Sequence, residues 1–123
     1  MKYVILIYGN PESRAIWGQM PAEQRAEGFQ AYAALDEELA ASGELIVSEA
    51  LADPSQAKRV VAREGQVVTS DGPFAEAKEL LAGFYLLECD SLDRAVQIAA
   101  RVPEADLGLV EVRPVLQLGG TEI

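Results

Sequence analysis

The opening run Lys2-Tyr3-Val4-Ile5-Leu6-Ile7-Tyr8 constrains this chain more than any other stretch, because it is β-branched, aromatic and almost continuously apolar. A strand with one face in water alternates apolar with polar residues, whereas a strand that does not alternate needs cover on both faces. Gly9-Asn10-Pro11 stops the run, since glycine and proline punctuate regular structure. The N-terminus therefore predicts a central strand, with a neighbour on each side and a layer over each face. At 123 residues the chain has material for one core, so it is expected to form a single domain.

The rest of the chain supplies the partners. Pro21 and Glu23 open a helix, because proline suits its first position and an acid suits the positive end of its dipole, and Gly43 closes it. Phe29, Tyr32, Leu35 and Leu39 recur at helical spacing, while Glu27, Asp36, Glu37 and Glu38 fill the remaining surface. Trp17 falls in what reads as a loop before this helix, as packing or a pocket lid. Leu45 to Leu51 predicts a second strand ended by Asp53-Pro54. Arg59 to Arg63 and Gln66 to Thr69 predict a hairpin closed at Glu64-Gly65. After the break at Asp71-Gly72-Pro73, Gly83 to Cys89 predicts a strand, and Ser91 caps a helix that carries Leu92, Ala95, Val96 and Ala99 on one face and ends before Pro103. The last strand, Leu109 to Gln117, alternates, with Glu111 and Arg113 on one side and Val110, Val112 and Leu116 on the other; Pro114 marks an edge. Residues 1–118 are thus expected to form the domain, with 119–123 as a frayed tail.

This order, β-α-β, hairpin, β-α-β, predicts an α+β fold of the ferredoxin-like split βαβ kind with an inserted β-hairpin. Both helices then cover one face of the sheet. The other face is left bare although Leu6, Val47 and Leu87 give the strands apolar content on both sides, so a homodimer, sheet against sheet, is the expected cover.

Charge narrows the function classes. Twenty acidic residues against ten basic ones give a net charge of −10, a field that repels phosphate backbones and anionic lipid, so neither nucleic acid nor membrane is expected as a partner. There is no histidine, and Cys89 is the sole cysteine; thiolate and imidazole metal sites and internal disulfides are therefore out of reach. Phosphate-binding glycine loops and a G-x-S-x-G elbow are absent. No metal or other cofactor is expected. Only Lys2 precedes the short apolar run, which is too brief for a signal-peptide core or a span, giving a cytoplasmic expectation. Glu88 and Asp90 flank Cys89, so a reactive thiolate is not expected there.

Two groups of residues carry candidate chemistry. Asp71, in Asp71-Gly72-Pro73-Phe74, reads either as a turn residue bonding its own backbone or as a base in a ligand loop. Glu76, Lys78 and Glu79 follow it, either as local ion pairs or as charges presented to a small molecule. Strand parity places Tyr8, Tyr85, Glu111 and Arg113 together on the face turned away from the helices. There Arg113 reads either as the bidentate partner of an organic acid or as part of a polar network at the dimer seam.

The block Thr69-Ser70-Asp71-Gly72-Pro73-Phe74-Ala75-Glu76-Ala77-Lys78-Glu79, followed by Gly83-Phe84-Tyr85, resembles the DGPF branch of the YCII-related family. The opening Lys2 to Gly9, the turn Ser42-Gly43 and the closing Val110 to Val115 resemble it too, so the likeness covers nearly the whole chain. The resemblance implies a ferredoxin-like fold pairing sheet to sheet as a dimeric α/β barrel. Some YCII relatives are thought to use a His and Asp pair in a cleft, and one is a dehydrochlorinase-like enzyme of chloroaromatic breakdown. A chain without histidine cannot inherit a His-dependent mechanism, and Ala77 stands where that motif usually has threonine. The expected function is a small-molecule binding domain for an organic acid, using a cavity between sheet and helices or within the dimer barrel, with cofactor-independent lyase or isomerase chemistry as its enzymatic version. Asp71 or a nearby Glu would move a proton, Arg113 would hold a carboxylate, and Tyr8 or Tyr85 would donate to developing charge. The alternative implied by the resemblance is a non-catalytic regulatory protein associated with an alternative sigma factor.

Overall fold

The computed structural model describes residues 1–73 and 77–117, and the backbone of residues 121–122. Its central element is β1 (Lys2–Gly9). In chain order there follow α1 (Pro11–Gln19), α2 (Ala22–Ser42), β2 (Leu45–Ala50), β3 (Lys58–Arg63), β4 (Gln66–Asp71), β5 (Leu80–Glu88), α3 (Leu92–Ala99), β6 (Val110–Pro114), β7 (Leu116–Gln117) and β8 (Thr121–Glu122). The main sheet has four strands in the order β2-β5-β1-β6, and each neighbouring pair is antiparallel. The continuous apolar run is therefore an interior strand, as its composition requires, and Pro114 sits on an edge strand where its missing N–H costs least.

Tyr3, Ile5 and Ile7 of β1 alternate with Val4, Leu6 and Tyr8, and only the first set is fully covered. Ile5, Ile7, Tyr85 and Leu87 meet Leu35 and Leu39 of α2 and Ile98 and Ala99 of α3 in one core. Helices α2 and α3 thus lie on a single face. The α2 helix ends on Gly43, whose φ of 80° is the left-handed conformation glycine adopts without steric cost. Ser91 caps α3 by accepting from the Arg94 N–H at 3.1 Å.

The stretch read as a loop around Trp17 is instead helix α1. Asn10 caps it by accepting the Ser13 N–H at 2.7 Å, while Ser13 Oγ accepts the Asn10 N–H at 2.9 Å, and Pro11 occupies the first turn. This reciprocal capping box satisfies donors that a helix start otherwise leaves open. The indole of Trp17 then packs edge-on against Phe29 of α2, with centroids 5.3 Å apart.

The hairpin β3-β4 forms a separate two-stranded ribbon. Its turn places Glu64 at φ 51° and Gly65 at φ 79°, the pair of positive angles that a tight two-residue hairpin requires. Beyond 117, β8 pairs back on β7; residues 118–120 and 123 lie outside the described set.

One ion pair locks α3 to the start of β2. Arg94 Nε and Nη2 donate to the two carboxylate oxygens of Glu44 at 2.9 and 2.8 Å, and chiefly this bidentate bond holds the Glu44 carboxyl at about 2. An unfolded glutamate titrates near about 4.3, so between these values the unfolded chain binds the extra proton and stability climbs with pH. The contribution is whole above the unfolded value and is lost as the pH falls towards 2. Melting followed from pH 5 to 2 should therefore show a shallower decline in Arg94→Gln than in the parent; equal slopes would assign the acid sensitivity elsewhere.

Candidate functional site

At the end of the sheet where β1 reaches Tyr8, the ladder with β5 is irregular. Ile7 faces Gly83 while Tyr8 faces Leu81, so Ala82 is the extra residue of a β-bulge, a device that re-aims a strand end. The Ala82 carbonyl accepts the Leu51 N–H at 2.8 Å, which draws the chain leaving β2 towards it. Asp53 then caps a short 3₁₀ turn, Pro54–Gln56, by accepting the Ser55 N–H at 2.9 Å. These bonds hold the Asp53 carboxyl below its ordinary range. The ribbon departs at Ala57 and returns at Gly72, whose N–H closes the base on the Ala57 carbonyl at 2.8 Å.

These segments enclose a cleft of about 790 Å³. Leu51, Pro54, Ala57, Val61, Pro73, Leu80 and Leu81 contribute its apolar walls, and Asp53, Lys58, Arg59 and Glu79 its charged groups. Its size lies in the range of small-molecule pockets, which combine an apolar lining with a few polar groups. Glu79 links it to the outer face of the sheet, since its charge is one of those that raise the Tyr8 phenol.

On that outer face Glu111 stands opposite Leu6 and Arg113 opposite Val4, and the Tyr8 hydroxyl donates to Glu111 at 3.2 Å. Partial burial, and then this bond, push the Tyr8 phenol up, with Arg113 opposing. Tyr8, Glu111 and Arg113 are thus brought to one face, as strand parity predicts. Tyr85 is not with them. It pairs with Ile5, faces the helices, is buried, and donates to Asp36 of α2 at 2.5 Å. Phe84, opposite Leu6, takes the outward position, one residue away from the expected one.

Asp71 closes β4, and its carboxylate bonds the Lys58 ammonium across the ribbon, both side chains lying exposed. The expected bond to its own backbone is replaced by this cross-strand pair. Lys78 is exposed between Ala77 and Glu79, which line the cleft. Phe74, Ala75 and Glu76 lie outside the described residues.

Sequence reasoning missed a polar layer beneath α2. Besides Tyr85 and Asp36, the Tyr32 hydroxyl donates to both carboxylate oxygens of Glu104 at 2.5 Å. Burial first, and these bonds second, raise both phenols far above their ordinary value, so they act as fixed proton donors. The available signal was the four-residue spacing of Tyr32 and Asp36, which puts both on one helix face. Cys89 is buried, and burial raises its thiol, which suits packing and not nucleophilic chemistry. Among the described residues no group of three or more Cys, Asp or Glu is placed to hold a metal ion, and no helix is long and apolar enough to cross a membrane.

Residues 1–119 match the family of YCII-related domains. Over 116 residues the chain is 32% identical to an uncharacterized protein of Rhizobium meliloti (strain 1021), an alignment that covers 93% of this chain and 91% of the other.

Proposed function

We propose that this chain, which belongs to the YCII-related family, binds a small organic anion in the cleft at the base of its β-ribbon. The cleft itself carries this reading: about 790 Å³ of largely apolar space with Arg59 half-buried in its wall. In a molecule of net charge −10 an acid needs a local cation, and a guanidinium grips a carboxylate through two parallel bonds. Arg59, half-buried in the cleft wall, is the residue assigned to the ligand's carboxylate.

If the bound acid is also turned over, the chemistry is a proton transfer of the lyase or isomerase kind. Among the described residues the cleft carboxylates are Asp53 and Glu79; one Asp53 oxygen accepts the Ser55 N–H, and the proton transfer is assigned to Glu79. The strand order β2-β5-β1-β6 supports a ferredoxin-like arrangement. Val4, Leu6, Phe84 and Leu86 on its outer face, each only half-buried, support a second copy packed sheet to sheet, with Tyr8, Glu111 and Arg113 at the seam.

A thermal-shift screen of small mono- and dicarboxylic acids tests the assignment. A stabilising acid should lose roughly tenfold or more in affinity in Arg59→Ala, the size of a lost charge-assisted bond, and should bind Glu79→Gln unchanged while any turnover disappears. An acid whose binding survives Arg59→Ala but fails in Arg113→Ala would move the site to the seam. No acid binding, together with retention of a sigma factor in a pull-down, would replace this reading with the regulatory one.

A further inference from the structure

We infer that the outer edge of β4 pairs with the same edge of a second copy, so that two ribbons join into one antiparallel sheet in the order β3-β4-β4-β3. Among the described residues the ribbon's sheet consists of β3 and β4 alone, and Val60, Val67 and Val68 are 65%, 68% and 59% exposed. An isolated two-stranded ribbon is marginal in water, and a third strand is what ordinarily secures it.

The two edges of the ribbon differ in the chemistry that decides which one pairs. Strand β3 carries Lys58, Arg59 and Arg63, and cations on an edge strand ward off further strands. Strand β4 reads Gln66-Val67-Val68-Thr69-Ser70 before its final Asp71, a β-branched stretch with neither charge nor proline to guard it.

The ladder also fixes which backbone groups are free to pair. The Gly72 N–H donates to the Ala57 carbonyl, so Ala57 and Gly72 form a bonded pair, and in antiparallel strands bonded and non-bonded pairs alternate. Arg59/Ser70, Val61/Val68 and Arg63/Gln66 are then bonded inside the ribbon in the observed register. Val67 and Thr69 consequently turn their N–H and C=O groups outward.

A two-fold axis at Val68 uses those groups. Val67 exchanges hydrogen bonds with Thr69 of the second copy, Gln66 faces Ser70, and Val68 faces itself, so β-branched residues meet and no charges oppose. Joining two β3 edges about Val61 would set Arg59 against Arg63 of the second copy, a like-charge arrangement that destabilises a sheet. The ribbon is also the part of this acidic chain where repulsion between copies is least, since its three basic residues stand against Glu64 and Asp71. This contact is independent of the cleft and of the sheet-to-sheet seam.

Cross-linking from single cysteines tests the register, with the buried Cys89 changed to serine. On the axis a non-bonded antiparallel pair brings its Cα atoms to about 4.5 Å, within disulfide reach. Val68→Cys should therefore give a disulfide-linked dimer on mild oxidation, at least roughly tenfold faster than Val67→Cys or Thr69→Cys, which face each other's positions and not their own. Thr69→Pro removes an outward N–H without touching the β3-β4 ladder, and should halve the native mass in light scattering. Val67→Lys, which adds the missing guard charge, should do the same should the proline variant fail to fold. Leu6→Glu, on the sheet face, should leave the Val68 cross-link intact, so failure of the seam and failure of the ribbon contact are told apart. Equal cross-linking at all three positions, none at Val68, or an unchanged mass in both edge variants would overturn the inference.

Discussion

Replacing Tyr85 by alanine should cost this protein about 3–5 kcal/mol, the usual loss for truncating a buried aromatic side chain. The same change at Tyr8 should cost well under about 1 kcal/mol, as for a residue near the surface. Tyr85 is 3% exposed inside the core shared by β1, α2 and α3, and its hydroxyl is bonded to Asp36. Tyr8 contributes a 3.2 Å bond to Glu111 at the rim of the sheet. Tyr85→Phe separates the two parts of the loss: it keeps the ring and strands Asp36, so about 1–3 kcal/mol should go. Denaturant titration of the three variants measures this, and near-equal losses at positions 8 and 85 would contradict the placement of Tyr85 under the helices. An alkaline signature should accompany it. Burial and the carboxylate bonds raise the Tyr32 and Tyr85 phenols in the folded state, whereas in the unfolded chain they titrate near about 10. Above that pH the unfolded chain gives up protons that the folded one keeps, and stability falls as pH rises. Tyr85→Phe should flatten that fall.

The misplacement of Tyr85 shows where a sequence stops being legible. In β5 the run Leu80-Leu81-Ala82-Gly83-Phe84-Tyr85-Leu86-Leu87 is apolar on both faces, so nothing within it marks which residues look inward. A shift of one residue exchanges the two faces. The β6 strand alternates Glu111 and Arg113 with Val110 and Val112, and there parity alone places every side chain. The ribbon was equally readable, because Gly65 takes a positive φ without steric cost between two β-branched runs, and this places the turn even though Glu64 is a less usual residue for the other positive angle. Helix α1 was hidden by Pro11, which reads as the end of β1 although it opens a helix once Asn10 and Ser13 cap each other.

The candidate site was legible by region and not by residue. The block from Asp71 to Glu79 leads into the cleft, through Gly72, Pro73, Ala77 and Glu79. The cation proposed for the ligand, Arg59, sits in a hairpin strand where local sequence gives it no distinction from Arg63. Only the fold, by bringing Leu51 across to Ala82 and the ribbon base across to Gly72, turns these separate segments into one cavity.

Gly83→Val should be the substitution most damaging to the cleft. Gly83 belongs to the block that carries the family likeness, yet no unusual backbone angle demands glycine there; the demand is for space. A Cβ built on Gly83 would lie 2.9 Å from the Glu49 carbonyl oxygen and 3.5 Å from the Ala50 Cα. Both are backbone atoms of β2, so no rotamer change relieves the clash and the strand itself must move. Overpacking of this kind costs about 1–3 kcal/mol and occasionally more, and with β-branching at the clash the upper end is expected. Because β2 continues into Leu51, whose N–H is held by Ala82, its displacement also opens the cleft wall. Gly83→Val should therefore weaken binding of the screened acid by more than its stability loss explains. Leu39→Ala provides the comparison: it empties a fully buried position on α2 that does not line the cleft and should cost about 2–5 kcal/mol with affinity unchanged at temperatures where the protein stays folded. If the two variants lose stability alike and affinity alike, Gly83 serves only to pack β2 against β5. If Gly83→Val loses affinity and Leu39→Ala does not, the strand pairing around Gly83 shapes the binding site.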